Sequence, residues 1–401
     1  MRSMSSPNAL VGDQIFRKVF LMKRNLLLTP GPTQVPPQLC EVLGRPIIHH
    51  RTPQFQDYLK VVVSGLKELM YTQHDMYILA GSGSAAMEAA VVNIVNPGDK
   101  VIAVDGGKFG ERWVELCQTY KANTIVYKVE WGKAPQANEI EKLLKANPDV
   151  KAVFITLAET STGVSPDVKA IGEVVKNYPA VLVVDAVSGF AVQEIRQDAW
   201  HVDMICSGSH KGLMLPPGVA FISASPKAID VINKCTTPRY YLDLRECKKA
   251  MEKADTPFTP AIGVVIGMVE SINMIKKEGL ENMFARFIHL GQAVRIGCKA
   301  IGMELFPDPS CATNVLSAVK LPVGIDGEKV TKIMRDTYGI TVAGGQDQLK
   351  GKVVRLAHMG ALDEFDILVG LACLEKVLYQ LGYKFELGAS LTAAQKYLNQ
   401  K

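Results

Sequence analysis

Residues 76–90, MYILAGSGSAAMEAA, read as an apolar strand, a turn of small residues and the opening of a helix rich in strong helix formers. Glycine and serine let a ligand approach the turn closely. The first amides of the helix have no intrahelical partner and lie at the positive end of its dipole, so this junction favours an anion such as phosphate. The stretch also satisfies the loose G-x-G-x-x-A pattern of dinucleotide binding. The next strand, 101–104, ends in Asp105, where a nicotinamide-binding fold would place an acid. On these residues alone, a structural turn, a phosphate cradle and a dinucleotide site all stay open.

Working outward, apolar runs at 124–129, 152–157 and 181–184 alternate with helical patterns around 139–146 and 167–176. Such alternation predicts an α/β fold with a largely parallel sheet covered by helices on both faces. A helical period also runs through 54–70, with Phe55, Tyr58, Leu59, Val62, Leu66 and Leu69 on one face. Before it, 25–37 (NLLLTPGPTQVPP) is a short apolar run followed by a Pro/Gly cluster, which predicts an extended arm. In parallel sheets ligands gather at the carboxyl ends of strands. Residues 157–163, Asp185, and 207–211 all fall at such ends.

Residues 201–215, HVDMICSGSHKGLML, contain a strand-like run at 202–206, a break into small and hydroxyl residues, and then one lysine, Lys211, in an otherwise apolar setting. A lysine so placed is either a surface residue on a tight loop or an amine whose pKa falls until it can attack a carbonyl. Asp185 follows Val181-Leu182-Val183-Val184, so its carboxylate stands at the edge of an apolar interior and needs a partner. Arg355 lies in an apolar strand-like row, 351–357, where a guanidinium needs an anion, either an internal carboxylate or a ligand. A phosphate cradle, an acid after a buried strand and a lone lysine are the three parts that pyridoxal 5′-phosphate requires.

Bulk composition agrees with an ordinary soluble globular protein, and the length suggests two domains: 401 residues, 48% hydrophobic and 21% charged. The net charge of +5, from 45 basic and 40 acidic side chains with no long basic block, argues against nucleic acid or a membrane surface as partner. Eight cysteines are scattered without a C-x-x-C pair or zinc spacing, so core thiols in a reducing compartment are expected, and no metal site. Residues 1–23 lack the apolar core of a signal peptide, and the expected location is cytoplasmic. Met1, Met4 and Met22 are all candidate start residues.

Six blocks in order carry a resemblance: LLLTPGPT (26–33), GSGSAAMEA (81–89), ETSTGV (159–164), VVDAVSG (183–189), SGSHKGL (207–213) and VVRLAHMG (353–360). Together they are similar to the class V aminotransferases of fold type I, and most closely to the alanine/serine–glyoxylate aminotransferase group. The resemblance implies a pyridoxal-phosphate transferase fold: an N-terminal extension (1–24), a large cofactor-binding domain (25–280), and a smaller C-terminal α+β domain (281–401). It implies a homodimer with active sites shared between subunits. By the same resemblance Lys211 carries the cofactor, Asp185 faces the pyridine nitrogen, and Val187 packs on one ring face.

Phe109 stands where the family often has Trp on the other face, keeping the stacking and losing the indole N–H. Ser82, Gly83 and Ser84 match the phosphate cradle, with Ser84 in place of a histidine found in some relatives. His210 stands where glutamine is common, and either side chain can donate to phosphate. Thr160 matches a hydroxyl near the ring oxygen, and Thr256 and Thr259 resemble a segment that reaches the neighbouring subunit's phosphate. Arg355 matches the arginine that grips the substrate's α-carboxylate with two prongs. Gly31 and the 49–51 run are candidates for the pocket wall, where His50 or Arg51 could favour an acidic side chain.

The implied reaction is transamination from a small amino acid, alanine or serine foremost, to a 2-oxo acid such as glyoxylate or pyruvate. Aspartate presents the same α-carboxylate and remains a rival donor. A cysteine desulfurase would need a reactive cysteine near Arg355, and 341–352 has none. A nicotinamide oxidoreductase would use the Gly81-x-Gly83 turn and Asp105 but leave Lys211 idle.

Overall fold

The computed structural model describes residues 25–400. The expected extension, 1–24, and the candidate starts Met1, Met4 and Met22 lie outside the described residues. The first part of the chain runs β1 (Leu26–Leu28), α1 (Pro37–Leu43), α2 (Pro53–Met70), β2 (Asp75–Gly81), α3 (Gly83–Ile94), β3 (Lys100–Asp105), α4 (Lys108–Thr119) and β4 (Asn123–Lys128). There follow α5 (Ala137–Ala146), β5 (Ala152–Thr156), α6 (Val168–Val175), β6 (Val181–Asp185), β7 (Met204–Gly208), β8 (Gly218–Ala224), α7 (Pro226–Lys234) and α8 (Leu244–Met251). The remainder is α9 (Ile262–Glu278), α10 (Leu280–Ala300), β9 (Glu304–Leu305), β10 (Leu316–Lys320), α11 (Gly327–Tyr338), β11 (Ile340–Gly344), β12 (Val353–Ala357), α12 (Glu364–Gln380) and α13 (Ala389–Leu398).

A seven-stranded sheet in the order β2-β8-β7-β6-β5-β3-β4 forms the centre. Every pairing from β7 to β4 is parallel, while β8 runs antiparallel to both its neighbours. β5, β6 and β7 are buried along their whole lengths because helices cover both faces. Alternate residues feed two different cores. Val153, Ile155, Leu182, Val184 and Ile205 join Phe55, Leu59, Val62 and Leu66 of α2 on one face. Phe154, Val181, Val183, Met204 and Cys206 meet Met87 and Ala90 of α3 and Trp113 of α4 on the other. The period of two in the strands and of 3.6 in the helices thus become one packing solution. This is the α/β fold expected, with a mostly parallel sheet.

Local chemistry sets the ends of the elements. α2 begins at Pro53, one residue before the expected start, because the Thr52 side chain accepts from the Phe55 amide and proline suits a first helical position. β7 begins two residues later than expected. The Asp203 carboxylate accepts from the Leu182 amide at 2.9 Å and the Ser225 hydroxyl at 2.8 Å. Ser207 and Gly208 then continue the strand because β8 offers them Phe221 and Ala220 as partners.

A second sheet, β1-β11-β12-β10-β9, is built chiefly from the C-terminal part. The apolar arm at 26–28 is one of its strands, paired parallel to β11. Leu26 and Leu28 point into a third core with Val294, Ile340, Val354, Leu371 and Leu374. The chain then returns through Pro30 and Gly31 to the C-terminal ends of β6 and β7. Six of the eight cysteines are buried free thiols, with Cys311 partly buried and Cys40 exposed.

Candidate active site

Lys211 lies three residues beyond β7 and is 7% exposed. Its Nζ donates to the Pro30 carbonyl and, at 3.2 Å, to the Ser188 hydroxyl. Burial pushes its pKa down to about 8; Asp185 opposes this, while Arg355 and Arg112 act in the same direction as burial. Gly31 lies directly against it, since a Cβ there would fall within 2.5 Å of Nζ. Lys211 does lie on a loop, but the surface alternative is excluded: the amine is enclosed.

Asp185 ends β6 and is 3% exposed. Its carboxylate accepts from the Val187 amide at 2.8 Å. Burial raises its pKa to about 6, against that amide; Glu159 also raises it, and Lys211 and Arg112 lower it. The Val187 side chain reaches back to the turn after β2, where a Cβ on Gly83 would lie 2.7 Å from its Cγ1. Asp185, Val187 and Lys211 therefore cluster beside the N-terminus of α3.

At that N-terminus Ser82 is the cap residue in extended backbone, and Gly83 and Ser84 are the first helical positions, whose amides have no intrahelical acceptor. Ser82 and Ser84 are exposed in the single chain. His210 adjoins them, since a Cβ on Gly208 would meet the Gly83 nitrogen at 3.2 Å and His210 Cε1 at 3.3 Å. Burial pushes the His210 pKa down to about 4, leaving a neutral ring, and its buried Nδ1 has no partner among the described residues.

Phe109, at the start of α4, is held by Glu159. One Glu159 oxygen accepts from the Phe109 and Gly110 amides, each at 2.9 Å, and the other from the Ser161 amide and hydroxyl. Burial raises the pKa of Glu159, and those four donors pull the other way. Thr160, 1% exposed, presents its carbonyl to Arg355 Nη1 at 2.7 Å, and Arg355 Nε donates to the Gly344 carbonyl at 2.8 Å. Arg355 thus has two carbonyl partners and, among the described residues, no carboxylate within ion-pair distance. The alternative of an internal ion pair finds no partner among the described residues. Burial lowers its pKa to about 10, opposed by Glu159.

Thr256 and Thr259 sit apart from this cluster. Their loop shares a crevice with Ile78, Leu79 and Ala80 just before the glycine turn. The Thr256 hydroxyl donates to the Phe258 carbonyl within the loop, and Thr259 is exposed. Arg51 pairs with Asp255 and donates to the Thr256 carbonyl at 3.1 Å, which ties it to that loop. His50 stacks on His49 with centroids 4.8 Å apart. Asp105, the acid of the nicotinamide alternative, has its pKa raised by burial and by Glu111, against Lys128 and the Gly107 amide.

Three residues escaped the sequence reading. Ser188 and Glu159 lie inside the quoted blocks 183–189 and 159–164, so proximity to Asp185 and Thr160 was a usable signal. Arg112 had none: it sits mid-helix, and only the fold brings its guanidinium to the Ser84 hydroxyl at 3.1 Å. Among the described residues no group of three or more His, Cys, Asp or Glu is placed to hold a metal ion.

Comparison with known proteins places the chain in a family. The chain is 40% identical over 92% of its length to the soluble hydrogenase 42 kDa subunit of Anabaena cylindrica, covering 98% of that protein. It is 33% identical to the L-aspartate–glyoxylate aminotransferase of Paracoccus denitrificans, covering 95% of this chain and 98% of the relative. The crystal structure of ureidoglycine–glyoxylate aminotransferase from Bacillus subtilis superposes with a TM-score of 0.91 at 30% identity, covering 100% of both chains. The family described as Aminotransferase class-V matches residues 30–361. By fold and by sequence, this chain belongs to the class-V aminotransferases.

Proposed function

We propose that this aminotransferase binds pyridoxal 5′-phosphate at Lys211 and moves the amino group of a small amino acid, alanine or serine foremost, to glyoxylate or pyruvate. One observation carries the reading. A buried amine, a buried carboxylate and a helix N-terminus lie close together, and a buried arginine with no carboxylate partner among the described residues stands near them. The cofactor with its amino-acid substrate would offer these groups a carbonyl, a ring nitrogen, a phosphate and a carboxylate. The residues present fit the cofactor: the first amides of α3 have no intrahelical acceptor, and the buried His210 Nδ1 lacks a partner among the described residues. Pyridoxal 5′-phosphate, when bound, supplies an electron sink for the charge left when a proton leaves the substrate's Cα.

The chain's residues do the rest. Asp185 would hold the pyridine nitrogen protonated by placing an opposite charge beside it. Val187 and Phe109 would pack on the ring's faces, with Glu159 fixing Phe109 by accepting from the Phe109 and Gly110 amides. Ser82, Gly83, Ser84 and His210 would hold the phosphate, and Thr160 would serve the ring oxygen. Arg355, already oriented by Thr160 and Gly344, offers its remaining donors to the α-carboxylate. Lys211, with a depressed pKa and Ser188 beside it, takes the Cα proton as base and returns it as acid. Gly31 lines the substrate side.

The acceptor assignment is supported by the relatives, of which the Paracoccus and Bacillus proteins are named for glyoxylate; the former's aspartate donor keeps aspartate as the rival. A homodimer is supported by the exposure of Ser82 and Ser84 in the single chain. A partner's Thr256–Thr259 loop would cover them. We also place the division between domains near residue 280, with β1 crossing to the smaller one. The buried free thiols suit the reducing cytoplasm. The deciding experiment is a spectrophotometric screen. Purified protein reconstituted with the cofactor is mixed with each amino acid alone, and loss of the visible band together with release of the matching 2-oxo acid identifies the donor. No spectral change with any of alanine, serine or aspartate would end this reading.

A further inference from the structure

Arg112 is the side chain near the candidate cofactor site that the reading above does not use. Its Nη1 donates to the Ser84 hydroxyl at 3.1 Å, and its guanidinium carbon lies 4.9 Å from the centre of the Phe109 ring. Among the described residues it forms no ion pair. It therefore spans the two residues expected to touch opposite ends of the cofactor, Phe109 at the ring and Ser84 at the phosphate. We propose that Arg112 is a cofactor-phosphate ligand, which turns the Ser84 hydroxyl toward the phosphate and adds a formal positive charge to the α3 N-terminus.

The charge balance of the cradle favours this. A phosphate monoester carries close to two negative charges at neutral pH. Against it the α3 N-terminus offers backbone amides and about half a positive charge. Ser82 and Ser84 are neutral, and so is His210, whose pKa burial pushes down to about 4. Without a cation the dianion would be held by dipoles alone. Arg112 stands close enough that its charge registers at both Asp185 and Lys211. The hydrogen bond has a second effect. A serine hydroxyl has one proton and two lone pairs, so by accepting from Arg112, Ser84 leaves its own proton free to donate to a phosphate oxygen. Stacking on Phe109 holds the guanidinium in place without consuming its other N–H groups.

The inference rests on the cofactor reading, and the test separates the two. Cofactor-free full-length protein, wild type and Arg112→Gln, is titrated with pyridoxal 5′-phosphate and with pyridoxal, which lacks the phosphate. For Arg112→Gln we expect the phosphorylated form to bind about tenfold or more weakly, as fits loss of one charge-assisted contact. Pyridoxal should bind as it does to the wild type. Arg112→Lys, which keeps the charge, should recover part of the lost affinity and serves as the second variant if the glutamine form does not fold. Equal weakening of both ligands, or no weakening of either, would overturn the inference and leave the cofactor reading standing. A wild type that binds neither ligand would overturn both.

Discussion

Replacing Gly31 by alanine tests how closely the N-terminal arm shapes the reactive amine. Gly31 has a φ of +136°, a conformation that residues with a Cβ rarely adopt. Its missing Cβ would lie within 2.5 Å of Lys211 Nζ. Non-bonded carbon contacts settle at about 3.5–4.0 Å, so the lysine tail must retreat by about 1 Å or the loop must move. A displacement of that size in a reacting group costs about 100-fold in rate, equivalent to about 2.7 kcal/mol of barrier. Backbone strain adds about 1–3 kcal/mol against the fold. Gly98→Ala separates the two effects, because Gly98 also has a positive φ, +86°, but nothing within 4 Å of its missing Cβ. Both variants should melt at lower temperature than wild type; Gly31→Ala alone should lose about two orders of magnitude in kcat and bind cofactor poorly. If Gly31→Ala melts like Gly98→Ala yet keeps kcat within about threefold of wild type, Gly31 serves only the turn and the steric argument is wrong.

Lys211→Met should remove the visible band and transamination. It should also raise the stability of the cofactor-free protein near pH 7 by something on the order of 3 kcal/mol, because burial lowers the lysine pKa to about 8 in the fold. The sign follows from proton linkage: below pH 8 the amine is charged in both states and the full penalty applies, and above 8 the folded amine loses its proton and the penalty fades toward the unfolded pKa. Melting curves at pH 7 and pH 10 check this, and a wild type that stays the more stable at pH 7 would contradict it. Arg355→Lys keeps the charge but cannot hold the Thr160 and Gly344 carbonyls while presenting a fork; the donor KM should rise about 10- to 100-fold, with a smaller change in kcat. An unchanged KM for every donor would remove Arg355 from the site. Asp185→Asn can still accept from Val187 and should keep the cofactor, while the rate falls about 100-fold or more; turnover near wild type would refute the electrostatic role.

Much of the core machinery was legible along the chain because it depends on local pattern. The strand–turn–helix at 76–90 needs apolar alternation, small residues and helix formers in series, and it folds as β2, the Ser82 cap and α3. Asp185 and Lys211 stood out because a charge beside a buried strand is costly unless it has a use, and the structure buries both at adjoining strand ends. Arg355 stood out for the same reason. What stayed hidden depends on contacts between residues far apart. β8 runs against its neighbours because its pairing with β2 and β7 is decided by the sheet as a whole, and so Ser207 and Gly208 extend β7. Glu159 is an ordinary acid until α4 presents two amides to it, and Arg112 an ordinary surface arginine until Ser84 meets it.

The opening stretch shows the division most clearly. Its residues determine by themselves that a strand turns sharply into a helix whose first amides are free, since propensity, glycine geometry and helix termini are local properties. Those residues alone leave open whether the amides await a phosphate or a dinucleotide. Only the tertiary structure sets His210, Val187 and Arg112 around Gly83 and Ser84, because a charge or a hydrogen-bond donor acts over a few ångströms of space and not along the chain.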